Sequence, residues 1–260
     1  MKHFIVSITT LTWFACHALP ISAAEKIAPI LNSAPTLDGK IDTEEWSDAL
    51  PLGELVRTNG DLPKYKTQAW LGIHDSVFYL AIRCQEPTPD RMRTKTIRDE
   101  RDGNVYADDS VEFFIDVGRT GKSFYHLIVN SEGTLYDAEV IGDRRSAEMW
   151  DSDAVVRAHV GASSWGVEMA IPMQSLGHQF VEGEVFAINV ARTRRAETRK
   201  QISSLTKGKY SDPANFIPLL VKGRIASENL SLVSTRRGPF YQKAVGKLSG
   251  KWEFAIENKG

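Results

Sequence analysis

The stretch Ser110–Asp116 constrains this chain more than any other. Val111, Phe113 and Ile115 alternate with Ser110, Glu112, Phe114 and Asp116. A two-residue period among β-branched and aromatic side chains predicts a strand with one face in a core. The other face would carry two carboxylates and an aromatic ring, a costly set on a sheet unless water or a ligand meets it. Asp108 and Asp109 lead into the strand. That polar face is the first place to expect function.

Similar runs recur on both sides. Strands are predicted over 67–73, 77–84, 124–130, 134–140, 154–160, 165–171, 185–193 and 216–221. Turn signals separate them. Asp38-Gly39 marks a tight turn, Pro87 and Pro89 stop a strand, and Asn130 to Gly133 closes a hairpin. Asp42, with Glu45 three residues on, reads as the cap of a short helix ending near Ala49, with Trp46 folded down as an apolar plug. The acids of this block lack the alternate-position spacing of a calcium loop. Residues 173–176 make one helical turn. Many short strands and few helical turns predict an all-β fold, an antiparallel, jelly-roll-like β-sandwich over 25–222.

Composition narrows the function. The formal net charge is -1, with 42% hydrophobic residues, so the chain can build a core and shows no basic excess for nucleic acid. Residues 1–24 read as a secretory signal peptide cut after Ala24: Lys2 precedes an apolar run from Phe4 to about Leu19, and Ser22-Ala23-Ala24 follow Pro20 as the small residues at the cut. A transmembrane anchor is the alternative, but the run is shorter than the ~20 residues a bilayer needs. A secreted or periplasmic location follows, with no membrane span after signal removal. Cys16 leaves with the signal, and Cys84 shares the inward parity of Phe78, Leu80 and Ile82, as an apolar filler. Residues 223–260 hold two further strand patterns, which either extend the sandwich or begin another β domain.

Five patterns in order carry a resemblance. They are Pro35-Thr-Leu-Asp-Gly-Lys-Ile-Asp-x-x-x-Trp46 and Asp108-Asp-Ser-Val-Glu-Phe-Phe-Ile-Asp116, then Tyr125-His-Leu-Ile-Val-Asn130 with Gly133-Thr-Leu-Tyr-Asp137. Trp165-x-Val-Glu-Met-Ala-Ile-Pro172 and Ile188-Asn-Val-Ala-Arg192 complete the set. Together they resemble the family 9 carbohydrate-binding modules over about 33–222. The resemblance implies a β-sandwich that binds a poly- or oligosaccharide, often beside a glycoside hydrolase or further domains. It implies no certain cofactor, although calcium bracing the loops would fit the family.

A pyranose offers one C–H face and a rim of hydroxyls, so its receptor wants an aromatic plate with amide or charged groups around it. Trp70 lies on the polar parity of its strand and is the expected plate. Arg98, Arg101, Asp109, Glu112, Asn189 and Arg192 are the expected hydroxyl-binding groups, with the 98–101 loop closing the site. Packing under a loop is the alternative for Trp70, and an ion pair with Arg83 or Arg192 is the alternative for Glu112. Family members that clamp sugar between two tryptophans carry the second in a Ser-Ser-Trp segment. Here that place reads Ser203-Ser204-Leu205, so Trp150 or Tyr210 replaces it, or the ligand differs, or there is none.

Two other classes remain in view. A haem or redox sandwich needs an axial pair, and Met92, Met149, Met169 and Met173 offer no evident one. A glycosidase needs two carboxyls ~5–9.5 Å apart. Glu112 and Asp116 share a face but stand about 13 Å apart along a strand. Catalysis is not expected.

Overall fold

A computed structural model describes residues 26–96, 101–142, 144–145, 150–178, 180–197 and 199–222. The signal segment, the 223–260 tail, Met149 and Arg98 lie outside the described residues. Two sheets pack face to face. The first holds β1 (Lys26–Ala28), β3 (Val56–Arg57), β6 (Ser110–Asp116), β7 (Ser123–Asn130), β8 (Leu135–Ile141), β9 (Arg144–Arg145), β12 (Val185–Arg194), β13 (Gln201–Ser204) and β14 (Ile217–Val221). Its order is β1-β14-β12-β6-β7-β8-β9, with β13 on the later half of β12 and β3 on β13. The second holds β2 (Leu50–Glu54), β4 (Thr67–His74), β5 (Val77–Gln85), β10 (Val155–Val160) and β11 (Ser164–Pro172), in the order β10-β11-β5-β4-β2. The ladders between these strands are antiparallel except β1 with β14.

The inward parities are those the alternation predicts. Val111, Phe113 and Ile115 meet Leu71, Leu80, Ile82, Val167 and Met169 across one core. Cys84 is buried there, and burial pushes its thiol up to about 11, which keeps it unreactive. Five short pieces escaped the periodicity: β1, β2, β3, β9 and β13. Each is brief or interrupted by Pro or Gly, so its pairing comes from tertiary placement.

The outer face of the first sheet is covered and that of the second is covered in part, which overturns the expected polar surface around Ser110–Asp116. On the first sheet Ser110, Glu112, Phe114 and Asp116 are all buried. Phe114 packs beneath Phe216, Phe124 and Tyr210, with ring centroids 5.6, 5.8 and 5.9 Å away. It also stacks on His126 at 4.2 Å. The chain that follows β13 folds back over this sheet and closes it with aromatic rings. Asp116 therefore serves its own hairpin, accepting from the N–H groups of Thr120 (3.0 Å) and Gly121 (2.8 Å).

On the second sheet the 31–49 segment lays Leu31, Ile41, Trp46 and Ala49 over Ala81. Trp46 is the expected plug. Residues 43–48 turn without forming a regular helix. Asp42 does cap Glu44 N–H at 2.9 Å, but Glu45 accepts from Thr36 N–H instead of reaching back. The reason lies under Trp46. Glu168 is buried beneath the segment and accepts from the N–H groups of Asp38 (2.9 Å) and Gly39 (2.8 Å) and from Trp46 Nε1 (3.0 Å). The turn at Gly39 (φ +83°) presses so close that a Cβ there would lie 2.5 Å from the Ala158 backbone. Burial raises the Glu168 pKa, with the three donors opposing it.

Glu168→Ala would strip the acceptor from three donors at once. We expect a loss of about 2–4 kcal/mol in urea unfolding, because orphaned buried donors carry their full desolvation cost. A loss under about 0.5 kcal/mol would show that the 31–49 segment does not depend on this carboxylate.

Candidate functional site

One end of the sandwich gathers the chemistry. There β5, β7 and β12 finish, β4, β6, β8 and β11 begin, and the loop segments 58–66, 86–96, 101–109 and 195–197 meet. Between the sheets Glu86, 0% exposed, holds two arginines that the strand parity of β12 turns inward. Arg194 forks onto it, Nε to Oε2 at 2.7 Å and Nη2 to Oε1 at 2.8 Å. Arg192 Nη2 reaches the same Oε2 at 3.2 Å. Burial pushes the Glu86 pKa up, but bonds from Arg194 and Thr88 outweigh it and the net shift is downward. The Arg194 guanidinium also lies 4.4 Å from the Tyr65 ring centroid, a cation–π contact at the rim.

Beside this clasp, a cavity of about 470 Å³ is lined by Arg93, Lys95, Thr96, Arg101 and Asn104 among others. That volume falls within the usual range for small-ligand sites. Asp108 and Asp109 shape its wall from behind. Asp108 accepts from Lys95 N–H (2.9 Å), Thr96 N–H (3.0 Å) and Asn130 Nδ2 (3.1 Å). Asp109 accepts from Arg93 N–H (2.7 Å) and Arg195 N–H (2.8 Å). The acid pair entering β6 thus pins the loop's main chain. Burial raises the Asp109 pKa against those donors. Tyr106, 55% exposed, donates its hydroxyl to Asn104 Oδ1 at 2.8 Å.

Arg101 closes another wall. Its Nη2 donates to Asp137 Oδ2 at 2.7 Å and also to Asp151, and Asp102 stands 3.9 Å from its Nε. Ser152 N–H donates to the same Asp137 oxygen at 2.7 Å, while Oδ1 has no hydrogen-bond partner among the described residues. Burial pushes the Asp137 pKa up to about 6, opposed by the Ser152 and Arg101 donors and reinforced by Asp102.

The sequence-predicted residues do not converge on one face. Trp70 sits on the outer side of the second sheet, half-buried with Trp46 and Ile41, with the Arg83 guanidinium 5.6 Å from its ring. Arg83 itself donates to Ile41 O. Glu112 and Asn189 lie on the outer side of the first sheet, beneath its aromatic cover. Glu112 pairs with His126 Nε2 at 2.9 Å, not with Arg83 or Arg192. Asn189 Nδ2 donates to Tyr210 O at 2.7 Å. Arg192 and Asp109 do reach the loop end, as framework, and Arg101 lines the cavity. Trp150 stacks on Tyr125 at 4.6 Å and donates to Ser175 O at 2.9 Å, and Leu205 packs against the core. Neither Trp150 nor Tyr210 stands beside Trp70 as a second plate. The residues that sequence reasoning missed, Glu86, Arg93, Lys95, Asn104 and Tyr106, lie in loops where no period exists. Only the inward parity of Arg192 and Arg194 pointed towards a buried acid.

Among the described residues no group of three or more His, Cys, Asp or Glu side chains is arranged to hold a metal ion. Asp102, Asp137 and Asp151 gather instead around the Arg101 guanidinium.

Comparison with known proteins bears on the same span. Residues 37–223 match the family described as carbohydrate family 9 binding domain-like. No curated protein matches the chain. A family 9 carbohydrate binding module from Caldicellulosiruptor kristjanssonii in complex with glucose superposes with a TM-score of 0.55 at 16% identity, covering 78% of this chain and 97% of that one. A structure from the same organism in complex with cellotriose gives 0.55 at 15%, covering 76% and 95%. A structure from Bacteroides uniformis gives 0.56 at 16%, covering 76% and 98%. These likenesses concern the fold, which is the two-sheet sandwich described above. The family match covers most of the described chain and includes every strand from β2 to β14, so the chain belongs to the carbohydrate family 9 binding domain-like family.

Proposed function

We propose that this chain is an exported, non-catalytic carbohydrate-binding module that serves polysaccharide recognition or breakdown, in company with a glycoside hydrolase or further domains. Family membership over residues 37–223 is the observation that carries the reading. The glucose and cellotriose in the Caldicellulosiruptor complexes favour it. The sugar sits in the loop-end cavity and not on a sheet face, since aromatic rings close the outer side of the first sheet and Trp70 on the second is half-buried against Trp46. Its hydroxyls meet Asn104, Thr96 and Arg101, and its C–H face lies on Tyr106, the exposed ring beside the cavity. Among the described residues no helix is long and apolar enough to cross a membrane.

A glycan panel by calorimetry tests the reading. Asn104→Ala with Tyr106→Ala should weaken binding about tenfold or more, from one amide contact and one stacking ring. Trp70→Ala should lower Tm and leave affinity little changed. Affinity lost in Trp70→Ala and kept in the loop variants would move the site to the outer side of the second sheet. No heat with any glycan from the folded chain would overturn the function.

Asp137 gives a pH signature to the cavity wall. Its folded pKa of about 6 exceeds an ordinary aspartate's ~3.9. Its contribution to stability is therefore fully present below pH ~4 and lost as pH rises to about 6. Asp137→Asn should remove that loss, on the order of 1–3 kcal/mol, from denaturation profiles taken across this window. Parallel wild-type and variant profiles would exclude a raised Asp137.

A further inference from the structure

Resting on the carbohydrate reading, we propose that the loop-end cavity takes an acidic sugar, a uronate whose carboxylate is held by Arg93 and Lys95. Three cations and no carboxylate line the cavity among its described residues. The three differ in what they already hold. Arg101 faces Asp137, Asp151 and Asp102, so its charge is matched behind the wall. Arg93 and Lys95 have exposed side chains with no ion-pair partner among the described residues. The acids beneath them, Asp108 and Asp109, are 0% exposed and spend their oxygens on main-chain N–H groups and Asn130.

Arg93 and Lys95 are exposed, with half-buried Thr94 between them, and both line the cavity. A guanidinium forks onto a carboxylate through two N–H groups, and an ammonium adds a point charge. A neutral hexose would leave both cations unmatched in the cavity. Asn104, whose Oδ1 is taken by Tyr106, keeps its amide nitrogen for a ring hydroxyl. The roughly 470 Å³ of space accommodates one or two pyranose units.

The test compares an oligogalacturonate with a neutral gluco-oligosaccharide of equal length, and with a sulfated galactan oligosaccharide, by calorimetry on the mature chain. The variant is Arg93→Gln with Lys95→Gln, which keeps the N–H groups that Asp109 and Asp108 need. Wild type should prefer oligogalacturonate by about tenfold or more, with affinity falling as salt rises. The variant should lose that preference while retaining wild-type Tm and its weaker affinity for the neutral sugar. Preference for the sulfated chain would replace the carboxylate with a sulfate ester and overturn the uronate assignment. Tighter binding of the neutral sugar would also overturn it while leaving the carbohydrate reading intact. Oligogalacturonate binding unaffected in the variant would show that the acid is held elsewhere. Failure to bind any of the three would count against the carbohydrate reading itself.

Discussion

The buried fork between Glu86 and Arg194, joined by Arg192, is the interaction from which the loop end takes its shape. Glu86 follows a strand of one sheet and both arginines belong to the central region of the other, so one carboxylate ties the two layers together. Such a cluster adds little net stability, because desolvating three charges offsets much of their attraction. Its effect is on position. Arg192 Nη1 also donates to Gln85 O at 2.9 Å, fixing where β5 ends. Arg194 carries Tyr65 on its face, and Arg195, next in the chain, donates to Asp109 and to Tyr106 O. The 86–96 loop therefore leaves the sandwich from a fixed point, and the side chains that line the cavity inherit that placement.

The fold was largely legible in the sequence because alternation is a local signal. Nine strands, the hairpin at Asn130 and the inward rows of Phe78, Leu80 and Ile82 all follow from neighbours two residues apart. Alternation identifies two faces but cannot say what covers the second one. For Ser110 to Asp116 the polar parity suggested solvent or ligand, yet Phe216 and Tyr210, about a hundred residues later, supply the cover. The same limit applies to Trp70. Its outward parity was correct, and the 31–49 segment that half-buries it was visible only as a turn and a plug.

The site was less legible for a related reason. Glu112 and Asn189 stood out because carboxylates and amides are conspicuous on a strand, but the strands that carry them are buried on both sides. Their polar groups satisfy one another: Glu112 with His126, and Asn189 with Tyr210 O. The groups with spare bonding capacity lie in loops, where Arg93, Lys95 and Asn104 follow no period. Asp108 and Asp109 connect the two levels. They looked like ligands, and they act by holding the main chain that presents other residues to the cavity.

The one parallel ladder among the described strands, β1 with β14, brings the two ends of the described sandwich together. Lys26 aligns with Leu219 and Ala28 with Val221, so the first and last described strands lie side by side at one sheet edge. The offset along them is only two residues, or ~7 Å of strand. Chain entering at Lys26 and chain leaving at Val221 therefore diverge from nearly the same spot, on the strand direction opposite in sense to a hairpin. Because the two strands run parallel, a linker joining Val221 to Lys26 must turn back along them, so a circular permutant needs a crossover of about a dozen residues or more, with new termini opened in an exposed turn such as that at Gly121.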